Sequence, residues 1–129
     1  EDRDPELYAK LAVLYRVMGR ADDAGKALAK ARTVYAVLLS KYPEAWADHG
    51  AEFYMGPGAN PKRAFELAKL NLRGRKTPRA AALWIEAAVA AGDMKALCKP
   101  SRYPFADEHP HVRWQNALKL LRQRCPLVP

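Results

Sequence analysis

Residues 8–15 read Tyr-Ala-Lys-Leu-Ala-Val-Leu-Tyr, and residues 46–53 read Trp-Ala-Asp-His-Gly-Ala-Glu-Phe. Laid over each other at an offset of 38, they place Tyr8 on Trp46, Leu11 on His49, Ala12 on Gly50 and Tyr15 on Phe53. The spacing of three, four and seven is that of one helical face, large at both ends and small in the middle. Small residues let paired helices approach closely, and aromatics fill the holes between successive helical pairs. The stretch therefore predicts helical hairpins built to one plan and repeated.

The flanking sequence divides into helices on the same terms. Asp4-Pro5-Glu6 reads as a cap, a proline at the first helical position and an acid in the first turn,. A stripe through Leu7, Tyr8, Leu11, Leu14, Tyr15 and Met18 follows and ends at Gly19,. Residues 21–41 form a longer helical run carrying Ala24, Ala27, Leu28, Ala31, Val34, Tyr35, Leu38 and Leu39. A third helix runs from Pro43 to about Met55. Gly56-Pro57-Gly58 breaks it, and Asn60-Pro61 starts a fourth that stops near Gly74,. Thr77-Pro78 caps a fifth helix ending at Gly92, a short helix follows from about Asp93 to Cys98, and residues 111–124 form a last amphipathic helix,. Residues 99–110 hold three prolines and read as an irregular connection. No strand candidate is present. Counting gives 24 Ala and two Ser in 129 residues, a composition that favours helices throughout,.

The pattern Tyr8-x2-Leu11-Ala12-x2-Tyr15, followed by Gly19, Ala24, Leu28 and Ala31, resembles the tetratricopeptide repeat (TPR) family. Trp46-x2-His49-Gly50-x2-Phe53 matches the first half of a second repeat, with Ala64 and Ala68 in its second helix. A shorter third unit spans Pro78 to Cys98, with either Ala81 or Trp84 in its leading aromatic position. The family period is about 34 residues. The first unit is longer, which extra turns at the end of its second helix would explain, and the insertion at residues 56–60 lengthens the second turn.

Over about residues 5–98, the resemblance implies an all-α, right-handed superhelix of about three TPR-like hairpins, capped by helix 111–124. The expected organisation is a repeat unit over residues 1–99 and a Pro-rich connection with capping helix over 100–129, in one compact body. The resemblance also implies a protein or peptide partner in a concave groove lined by the first helix of each pair. Lys10, Arg16, Asp48, Ala51, Tyr54 and Met55 are the groove candidates on that basis. Ala9 and Val13 stand where some members place the Lys and Asn of a carboxylate clamp, so chaperone-tail recognition is not expected.

The charge raises a second reading. The chain carries 22 Lys and Arg against 14 Asp and Glu, a net +8. Lys62, Arg63, Lys69, Arg73, Arg75, Lys76 and Arg79 face only Glu66 within residues 61–80, a local +6. Arg113, Lys119, Arg122 and Arg124 add a further +4 in the last helix. Such patches suit an acidic protein or a nucleic acid. No aromatic interleaving, helix-turn-helix or zinc spacing accompanies them.

Catalysis is not expected. Ser40 and Ser101 lie in no nucleophile elbow, and Gly56-Pro57-Gly58 follows no strand. His49 reads as a core histidine. His109 and His111 lack the helical His-Glu-x-x-His arrangement of a zinc site. No cofactor is expected, and no apolar run reaches the length of a membrane span. Cys98 and Cys125 form an even pair that would staple the last helix onto the last hairpin. A sequence opening at Glu1 is expected to be a processed form or an excised part. With the cysteine pair, that favours a periplasmic or secreted setting over a cytoplasmic one.

Overall fold

Four helices begin on a proline, where the missing N–H is one the first turn leaves unpaired in any case,. Three of them are also capped by the residue before it. Asp4 accepts from the Glu6 N–H at 2.9 Å, Asn60 from Arg63 at 3.2 Å and Thr77 from Ala80 at 3.1 Å. At the far ends, Gly19 and Gly92 take positive φ, 75° and 69°, where the chain leaves a helix,. The computed structural model describes residues 4–99 and 108–126. Among these the regular elements are α1 (Pro5–Val17), α2 (Ala21–Lys41), α3 (Pro43–Met55), α4 (Pro61–Gly74), α5 (Pro78–Ala91), α6 (Met94–Leu97) and α7 (Val112–Arg124). The protein is all-α. No helix among the described residues is long and apolar enough to cross a membrane.

Each helix packs chiefly on its neighbour in the chain: α1 on α2, α3 on α4, α4 on α5, with α7 closing onto α5. The length of α2 has a structural reason. It outruns α1 by eight residues, about 12 Å at 1.5 Å per residue,. That extra length serves α3. Tyr35 stacks on Phe53 with ring centroids 4.5 Å apart and meets Trp46 edge-on at 6.5 Å. Leu39 reaches the bare backbone of Gly50.

The core centres on α5. Ala80, Ala81, Ala82, Leu83, Ile85, Ala87 and Ala88 are all buried, so the helix is enclosed nearly all round, as a helix without a polar face must be,. Counting from the opening prolines places Ala81 level with Tyr8 and Trp46. Trp84 instead lies a turn further on, edge-to-face with Phe65 at 5.3 Å. In α7, Trp114, Ala117, Leu118 and Leu121 are buried against this centre. Cys98 and Cys125 lie at disulfide distance, with Cα atoms 5.4 Å apart, and tie the end of α6 to the end of α7. The Pro-rich connection lies, over residues 100–107, outside the described residues.

The opposite end of the row is less covered. Leu7, Leu14 and Met18 share one side of α1 and are each more than half exposed, with Val17 beside them at 81%.

Candidate functional site: an open groove over α1, α3 and α5

Residues 6, 9, 10 and 13 share one face of α1, and residues 49, 52 and 53 share one face of α3, by the three- and four-residue spacing of a helix. The two faces meet over a cavity of about 580 Å³. From α1 come Glu6, Ala9, Lys10 and Val13, and from α3 His49, Glu52 and Phe53. Tyr35 reaches in from α2, Pro57 from the inserted turn and Arg79 from the first turn of α5. The floor is apolar, with Tyr35 2% and Phe53 4% exposed. The rim is charged.

Most of that rim charge is matched. Glu6 is bonded to Nδ1 of His49, which joins α1 to α3 across the groove. Glu52 Oε1 accepts from Arg113 Nη1 at 2.9 Å and lies 3.4 Å from Arg79 Nη2. Arg113 also grips Glu86 with two bonds, Nε to Oε1 at 3.0 Å and Nη2 to Oε2 at 2.8 Å. One guanidinium thus connects α7, α5 and α3. Its bonds to Glu86 outweigh burial and hold its proton more tightly than usual,. Lys10 makes no ion pair among the described residues. Burial, and then the carboxylates of Glu6, Asp4, Glu52 and Asp48, push the Tyr35 phenol above its ordinary value, so it stays protonated and able to donate,.

The other groove candidates lie elsewhere. Arg16 is exposed near the end of α1. Asp48 is paired with Arg75 at 3.2 Å. Tyr54 packs edge-on against Phe53 at 5.1 Å, and Met55 is half-buried against the core. Ala51 is wholly buried and does not project from the packed stripe. His49 corrects the core reading. It sits at the edge of its stripe with 40% of its side chain exposed, turned toward Glu6 rather than inward.

Tyr35, Phe53 and Pro57 are groove residues that the sequence pattern did not single out. Tyr35 and Phe53 belong to packing stripes, and Pro57 to a turn. The one available signal was a hydroxyl inside an otherwise apolar stripe.

The basic cluster is partly neutralised. Lys69 pairs with Glu66 at 2.6 Å and lies over the Phe65 ring, Arg75 pairs with Asp48 and Arg79 with Glu52. Lys62, Arg63, Arg73 and Lys76 are exposed and make no ion pair among the described residues. The His109 ring accepts from the His111 N–H at 3.3 Å just before α7 begins. No group of three or more His, Cys, Asp or Glu among the described residues is arranged to hold a metal ion.

The fold and groove define a class: an all-α protein of successive helical hairpins with an open, mixed-polarity cleft. Comparison of the chain with family models, with curated proteins and with solved structures gives no match in any of the three.

Proposed function

We propose that the chain is a non-catalytic scaffold, a TPR-like right-handed superhelix of about three hairpins that binds a protein or peptide segment in its groove. The observation that carries this reading is the cavity of about 580 Å³, apolar below and charged around the rim. Ligand sites of this kind fall within roughly 300–1,000 Å³ and join apolar walls to a few placed polar groups. The repeat of residues 8–15 at 46–53 and the shared proline starts support the hairpin plan. The Cys98–Cys125 pair is compatible with an oxidising compartment,. The test is Val13→Arg, which fills the cavity from an exposed position. It is expected to abolish peptide binding with little change in melting temperature. Binding that survives Val13→Arg removes the groove from the reading.

A second reading rests on the four unpaired cations, Lys62, Arg63, Arg73 and Lys76. Here a polyanion such as nucleic acid binds across α4 and the turn after it. For B-DNA, four phosphate contacts would give a log–log salt slope of about −3.6. A slope near zero in a fluorescence titration leaves this reading without support.

A further inference from the structure

Two polar groups in the groove are uncommitted, and both donate. Lys10 is the one charged side chain lining the cavity with no ion partner among the described residues, since Glu6, His49, Glu52 and Arg79 are all engaged. Below it, Tyr35 is 2% exposed, and its hydroxyl makes no hydrogen bond among the described residues. Yet none of the described buried side-chain oxygens or nitrogens is both sealed and unsatisfied. The little surface that Tyr35 keeps must therefore lie at its hydroxyl, facing the cavity it lines. A buried hydroxyl without a partner is costly to leave so, and an acceptor brought by a ligand recovers that cost.

We propose that the Tyr35 hydroxyl and the Lys10 ammonium together receive one carboxylate, carried by an Asp or Glu side chain within an extended peptide segment. A neighbouring apolar side chain of the same segment lies on Ala9, Val13, Phe53 and Pro57. The inference rests on the groove being a peptide site and names what that site selects. A phosphate is disfavoured. The one arginine at the rim, Arg79, is held by Glu52, and the fixed carboxylates of Glu6 and Glu52 repel a dianion more than a single negative charge,. A chain-terminal carboxylate is normally captured by a nest of backbone N–H groups, whereas this site offers two side-chain donors.

The test is a linear heptapeptide library displayed between fixed linkers, so that no peptide has a free end. It is panned on the wild type, Lys10→Glu, Tyr35→Phe and Val13→Arg. Asp or Glu within two residues of a Leu, Ile or Phe is expected to be enriched on the wild type. In the best peptide, made with blocked ends, Glu→Gln or Asp→Asn is expected to weaken binding about tenfold or more, the usual scale of a charged hydrogen bond. Tyr35→Phe is expected to weaken it about fivefold to tenfold while the melting temperature stays unchanged. Lys10→Glu is expected to turn the preference toward Lys and Arg. Peptides selected without an acid, or equal binding by Tyr35→Phe and Lys10→Glu, overturn the carboxylate site and leave the groove intact. Binding confined to peptides with a free C-terminus also overturns it. A library yielding no peptide blocked by Val13→Arg overturns the groove reading itself.

Discussion

A Cβ placed on Gly50 would lie 3.0 Å from a methyl of Leu67 and 3.1–3.2 Å from both methyls of Leu39. Those are the tips of flexible side chains, so one methyl can be taken up by small shifts. Alanine also gains about 1 kcal/mol of helix propensity over glycine. Gly50→Ala is therefore expected to change stability by less than about 1 kcal/mol. Gly50→Leu drives three more carbons between α2, α3 and α4 and is expected to cost about 2–3 kcal/mol. That is a fall of roughly 10 °C in a thermal melt followed by circular dichroism. An unchanged melt for the leucine variant removes the close approach at this position. Gly50 was legible because smallness inside an aromatic–aromatic frame has one packing meaning. Tyr35 was not. Its ring obeys the same periodicity as a leucine, and where its hydroxyl points depends on Phe53 and on a cavity that no local pattern encodes.

At the scale of elements, helix starts were readable because a cap and a proline act within three residues. Asp4, Asn60 and Thr77 all accept the bonds that their positions predict,. The link between α7 and the groove was not readable, since Arg113 meets Glu86 27 positions back and Glu52 61 positions back. In sequence it is one of four uncompensated cations. In the fold it is the most tightly held of them. Arg113→Ala would strand two carboxylates that are 28% and 37% exposed, so water softens the loss,. The expected cost is about 1–2 kcal/mol, read as a lower urea midpoint with the same slope. Arg113→Lys should recover only part of it, because an ammonium cannot make the two-pronged bond to Glu86. Full recovery by lysine would reduce the interaction to simple charge.

For the whole molecule, the repeat offset announced two hairpins and the alanine content an all-helical body. The groove's outline came from a turn insertion and a third helix start, which supply Pro57 and Arg79. Neither has a periodic signature, so their place in the cleft appears only once the chain is folded. The Cys98–Cys125 link spans 27 positions and should add about 3 kcal/mol by constraining the unfolded chain,. Reduction is therefore expected to lower the melting temperature by roughly 10 °C. Wholly buried Trp114 should move toward solvent and shift its emission to longer wavelength. Identical melts with and without reductant show that the link carries no stability.

The row of hairpins also has a polarity. One end is sealed, because α7 lies on α5 and is held there by Cys125 and Arg113. The other presents Leu7, Leu14 and Met18 on the outer side of α1, apolar and uncovered among the described residues. A body with two bare ends can stack head to tail into a filament, but a body with one cannot propagate. If two copies meet through α1, the same patch is used on both, and association closes at a dimer.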